Sequence, residues 1–121
     1  MKPIYLLSFL LLISCNNTAN LTPQQIRIGI FKTTLNSGDY ESIATRNDSI
    51  QIETYNHKKD TFYIHWLSNF EYTLLKKNPK NEIDKKKFIV KITGVNHNSY
   101  SFMAHFEGNN FKQKGRAIKF K

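Results

Sequence analysis

The sequence predicts an all-β protein: an antiparallel meander of about seven or eight strands, closed as a small barrel or folded as a two-layer sandwich. Three observations point there. β-Branched and aromatic residues recur at period two from Ile26 onward. Asn, Asp, Gly and Lys turn signals cut that pattern every few residues. No segment carries a helical stripe longer than two turns. Short links pair neighbouring strands directly, as antiparallel hairpins allow and parallel strands do not.

The elements follow in order. IRIGIFKTTL (26–35) alternates Ile26, Ile28 and Ile30 against Arg27, Gly29 and Phe31, and NSGD (36–39) ends it. YESIATR (40–46) is a second strand, and Asn47-Asp48 turn it into SIQIETY (49–55), where Ile50, Ile52 and Thr54 share a face. NHKKD (56–60) closes a hairpin onto TFYIHW (61–66), with Phe62, Ile64 and Trp66 on one side and Thr61, Tyr63 and His65 on the other. FEYTLLK (70–76) sets Phe70, Tyr72 and Leu74 together, before the breaker NPKN (78–81). EIDKKK (82–87) reads equally as a helical turn or a charged loop. FIVKITGV (88–95), SYSFMAHF (99–106) and GRAIKFK (115–121) complete the series. Tyr100, Phe102, Ala104 and Phe106 are in register, and Ala117 with Ile118 or Phe120 packs inward. Closed up and down, such a meander is similar to the lipocalins, though shorter; closure would leave no exposed sheet edge.

The N-terminus is of another kind. Met1-Lys2-Pro3 precedes an apolar run from Ile4 to Ile13 broken only by Ser8. The run is about ten residues, whereas a spanning helix needs roughly 20, so a secretory signal is expected rather than a permanent membrane helix. Leu12-Ile13-Ser14-Cys15 resembles the lipobox of bacterial lipoproteins. That resemblance implies lipidation of the Cys15 thiol, cleavage just before it and acylation of the new N-terminus. Each residue type has a use there: the thiol attacks the diacylglycerol donor, Ser14 is small enough for the peptidase, and Leu12 fills an apolar subsite. Several acyl chains hold a protein on a bilayer far more firmly than one. Cys15 is the single cysteine, so an internal disulfide is excluded.

This reading divides the chain into a signal peptide (1–14), a lipid-anchored flexible tether (15–24) and one β domain (25–121). Of 18 basic residues, loss of Lys2 leaves 17 against 9 acidic, a mature net charge of +8. The cations are scattered, with knots at Lys58-Lys59, Lys76-Lys77 and Lys85-Lys86-Lys87 beside turn signals, which is the habit of solvated loop ends. Export and scatter together argue against a nucleic-acid partner.

The stretch RNDSIQIETYNHKKDTFYIHWLSNFEYTLLKKNPKN (46–81), with the early Phe31-Lys32, is similar to a family of small lipoproteins of Bacteroidetes-type bacteria. The shared skeleton is strand and turn: an R-N-D strand, a Trp followed by E-Y-x-L, a Lys/Pro/Asn loop and two further strands. The family brings no established activity and no catalytic residues. Thr34 stands where relatives have glycine, and Phe70 where they often have cysteine, so thiol chemistry in those relatives is absent here. Some relatives carry a DNA topoisomerase IV label; 121 residues are far too few for its nucleotide-binding and strand-passage domains.

Chemistry-bearing patterns are sparse. His57, His65, His97 and His105 lack the paired spacing of a zinc site, so no metal or other cofactor is expected. Arg46 with Glu53 or Glu71 reads as a cross-strand surface ion pair. No Gly-rich phosphate loop, Gly-x-Ser-x-Gly or Cys/His pair occurs, and no enzyme is expected. Nine Phe, six Tyr and one Trp supply 13% of the chain, mostly on alternating strand positions, where core packing is the first expectation. The sharper expectation is that Tyr63, Trp66, Tyr72, Tyr100 and Phe102 line a cleft for an apolar or sugar-like ligand, though so short a chain leaves little interior room. Together these readings describe a lipid-anchored envelope protein of a Gram-negative bacterium. Its anchor would lie in the outer membrane, facing the periplasm, and its domain would be a non-enzymatic binding or structural module. The alternative is a small barrel carrier or enzyme. Its partners would be the membrane, through Cys15, and a small ligand or another envelope protein.

Overall fold

The computed structural model describes residues 19–38 and 40–121. Eight strands, each antiparallel to its neighbours in sequence, form a closed barrel in the order β1 to β8. They are β1 (Gly29–Leu35), β2 (Glu41–Arg46), β3 (Ile50–Tyr55), β4 (Lys58–Ser68), β5 (Glu71–Lys76), β6 (Phe88–Val95), β7 (Ser99–Phe106) and β8 (Gln113–Lys119). Closure is made where β1 pairs with β8, from Phe31 opposite Lys119 to Leu35 opposite Gly115. The meander is therefore a barrel and not a sandwich, and every interior ladder is paired on both sides.

Turn chemistry accounts for the hairpins. Asn56 and His57 take left-handed φ values of 47° and 63°, which gives the two-residue link between β3 and β4 the twist that strand pairs favour. The β4 strand consequently starts at Lys58, earlier than the Lys-rich pattern suggests. At the preceding corner, between β2 and β3, Asn47 Oδ1 accepts from the backbone N–H groups of Ser49 and Ile50 at 3.0 and 2.9 Å. The ambiguous segment before β6 holds a single 3₁₀ turn, Ile83–Lys85.

The first element departs from expectation. Residues 26–28 are not strand: Pro23–Arg27 form a short helix, α1, and β1 begins only at Gly29. The cause is local. Thr22 and Gln25 make a reciprocal capping box, with Pro23 at the first helical position. Five residues are too few to be stable alone, so tertiary contacts hold this turn. Ile26 is wholly buried in the base of the barrel. Lys119 Nζ donates to the carbonyls of Gln25 and Ile28, and the Arg27 guanidinium lies 5.1 Å above the Trp66 ring. The Leu21 N–H also donates to the Asn96 carbonyl, so the segment read as a free tether already meets the barrel at Leu21.

One end of the barrel is thus plugged by α1. The other end, formed by the β1–β2, β3–β4, β5–β6 and β7–β8 connections, is open. Phe31, Ala44, Ile64, Leu74, Val90 and Phe102 point inward with Tyr72 and Tyr100.

Candidate functional site

The interior is not filled. A cavity of about 350 Å³ runs from the open end toward the plug. An eight-stranded barrel is just wide enough to pack solid with side chains or to hold one small ligand, and this one leaves room. Its walls are apolar: Leu35, Phe62, Leu74, Phe88, Val90, Phe102 and Phe106. Its floor is polar, made by Arg46, Gln51, Glu53, Tyr72 and Tyr100, and Tyr40, Asp60, Lys76 and Lys86 stand toward the mouth.

Arg46 organises the floor. It closes β2 at the plugged end and is 4% exposed, so its charge lies inside the protein and not on the surface as its sequence context suggested. Nε donates to Gln51 Oε1 at 2.8 Å and Nη1 to the Ile26 carbonyl at 2.8 Å. Nη2 is shared by the hydroxyls of Tyr72 (3.2 Å) and Tyr100 (2.9 Å). The guanidinium also faces the rings of Phe31 and Tyr72, with centroids 4.6 and 4.9 Å away. One side chain therefore ties α1, β2, β3, β5 and β7 together.

All four of those acceptors are neutral. The counter-charge sits one residue further on, because Gln51 Nε2 donates to Glu53 Oε1 at 2.8 Å. Gln51 and Glu53 point inward because Gln51 pairs with Phe62, and Glu53 with Asp60, across β3–β4. Ile50 and Ile52, which the alternation equally allowed to face the core, lie on the outside, and Ile52 is 37% exposed. Burial pushes the Glu53 carboxyl above its ordinary range. The Gln51 hydrogen bond and Arg46 pull it down, and facing Asp60 pushes it up again. Burial likewise holds the Tyr72 hydroxyl well above the usual phenol value.

At the mouth Lys76 lies 3.6 Å from Asp60 and 3.5 Å from Asp84, bridging β4 to the 3₁₀ turn. The Lys80 backbone N–H, with Lys76 beside it, keeps the Asp84 carboxyl below its ordinary range.

Of the five aromatic residues expected in a cleft, Tyr72, Tyr100 and Phe102 line the cavity. Tyr63 does not: its strand position faces outward and it is 48% exposed. Trp66 points in but is not part of the cavity lining, packing at 4.6 Å on Tyr72 and under Arg27. The expectation of little interior room is also corrected, because Ala44, Ala104, Gly115 and Ala117 are small residues at inward positions. Arg46, Gln51 and Glu53 escaped the sequence reading. The available signal was polar residues recurring at period two, Gln51 and Glu53 following Arg46 across a tight turn. Cys15 lies outside the described residues.

No family model, curated protein or solved structure matches the chain.

Proposed function

We propose that this chain is a lipid-anchored envelope protein whose barrel is a non-enzymatic binding module for one small amphipathic molecule. The open, apolar-walled cavity with a hydrogen-bonding floor supports the binding reading over a purely structural one. The volume is at the small end of ligand pockets, which span about 300–1,000 Å³. The buried cation and its neutral acceptors have the character of a recognition floor.

The outer wall argues against a barrel that crosses a membrane. Lys32, Glu41, Lys59, Lys91, Lys114 and Arg116 occupy outward strand positions while the inner wall is apolar, the reverse of a transmembrane barrel. Among the described residues no helix is long and apolar enough to span a bilayer either. Membrane attachment in this reading comes through acylated Cys15, with the protein in the outer membrane facing the periplasm. Leu21 meets the plugged end of the barrel, so the chain enters the domain at the end opposite the mouth.

Native mass spectrometry of the mature protein from its own host should show a retained small molecule. A polarity-sensitive naphthylamine dye should bind once per barrel and be displaced by apolar alcohols. Absence of both a retained mass and saturable dye binding would overturn the proposal.

A further inference from the structure

We infer that the cavity selects molecules whose buried head group is uncharged and both donates and accepts hydrogen bonds, such as an alcohol or primary amide on an apolar body. This rests on the binding reading above and adds the class of ligand.

Arg46 and Glu53 are one cation and one anion joined through Gln51, so the floor is already neutral. A carboxylate head would set two anions against one cation, and an ammonium head two cations against one anion. Either would leave a charge without a partner beside the buried floor, which is unfavourable. Nearer the mouth, Lys76 is engaged by Asp60 and Asp84, and with Lys86 the charges there are two cations against two anions, so that set is balanced as well.

The hydroxyls of Tyr72 and Tyr100 each accept from Arg46 and lie 2.9 Å apart. Two hydroxyls carry two protons, and the contact between them uses one. The other O–H has no acceptor among the described residues, and both tyrosines line the cavity. On the same floor, the Glu53 carboxylate takes a bond from Gln51, has the Tyr40 hydroxyl as a second donor, and keeps further lone pairs. An unshared donor and an unshared acceptor in one cavity match a group that carries both. An alkane satisfies neither.

The test uses the mature protein with the naphthylamine dye and four competitors of equal chain length: octanol, octanamide, octanoate and octylamine at neutral pH. Octanol and octanamide should displace the dye at about tenfold lower concentration than the two ions, the scale of one buried group left unpaired. Glu53→Gln removes the anion and leaves Arg46 uncompensated, so octanoate should rise to first place. Simple partitioning into an apolar hole would leave the order unchanged. The double variant Tyr72→Phe/Tyr100→Phe should retain the dye and lose the preference of octanol over its methyl ether. Octanoate or octylamine binding best to the wild type would overturn the inference while leaving the binding reading intact, as would an unchanged order in Glu53→Gln. Failure of the dye itself to bind would overturn the binding reading instead.

Discussion

The hydroxyl oxygens of Tyr72 and Tyr100 stand 2.9 Å apart, on strands β5 and β7 that are not paired with each other, and both accept from the same nitrogen of Arg46. The contact spans the barrel interior. It makes the floor of the cavity a single hydrogen-bonded unit and not a set of independent groups.

The first prediction tests that unity. Removing either hydroxyl should cost about 1–3 kcal/mol, the usual result of unpairing a buried polar group. Because the two share a donor and a contact, the double Phe variant should cost less than the sum of the singles. A double-mutant cycle by urea unfolding measures the coupling. Arg46→Ala should be worse than either, by about 3–5 kcal/mol, since it strands Glu53 as an uncompensated buried charge and frees the Ile26 carbonyl. Strict additivity of the two Phe substitutions would show that the hydroxyls do not interact.

A second prediction concerns pH. The folded-state carboxyl of Glu53 is raised, first by burial, against opposing help from Gln51 and Arg46; Asp60 and Tyr40 are its other polar neighbours. A raised acid binds its proton more tightly in the folded state than in the unfolded chain. Its ionised form is therefore a net destabilisation, fully present above the raised value and relieved as pH falls through it toward the unfolded carboxylate range. Glu53→Gln should consequently be more stable than wild type at neutral pH. The gap should close as the pH drops below the ordinary glutamate range. Thermal melts of both proteins across that window measure it; a gap that widens on acidification would contradict the assignment.

Gly115 offers a steric test. A Cβ there would meet the Thr34 carbonyl oxygen at 2.5 Å and the Phe102 ring at 2.6 Å. Gly115→Ala should cost about 1–3 kcal/mol, as overpacked cores do. Phe102 lines the cavity, and a ring displaced into that space should lower dye affinity as well. Calorimetry and a dye titration on the same preparation check both effects.

The anchor is tested by metabolic labelling with a fatty acid in the native host. The wild type should take up label and Cys15→Ser should not, while the purified barrel keeps its far-ultraviolet spectrum. Equal labelling of both would exclude lipidation at that thiol.

Much of the fold was legible in the residues. Phe62, Ile64 and Trp66 alternate and do face inward, and the Asn47-Asp48 corner stands where turn residues announced it. The helix at Pro23–Arg27 was hidden because Ile26 and Ile28 extend the period-two pattern of β1 backward. The capping pair Thr22 and Gln25 was the competing signal, and it prevailed because Ile26 gains full burial as the plug.

The site was legible only in part, for a definite reason. Period two divides a strand into two faces, and nothing within the strand says which face is the interior. In β3 the apolar set, Ile50 and Ile52, goes out and the polar set, Gln51 and Glu53, goes in. The pairing of Gln51 with Phe62 decides this, and Arg46 makes the arrangement tolerable by supplying a partner for the buried polar groups. The order and pairing of the strands thus follow from local pattern and short turns. The polar floor exists only once the sheet closes on itself, when side chains from Arg46 to Tyr100, 54 positions apart, come within hydrogen-bond distance.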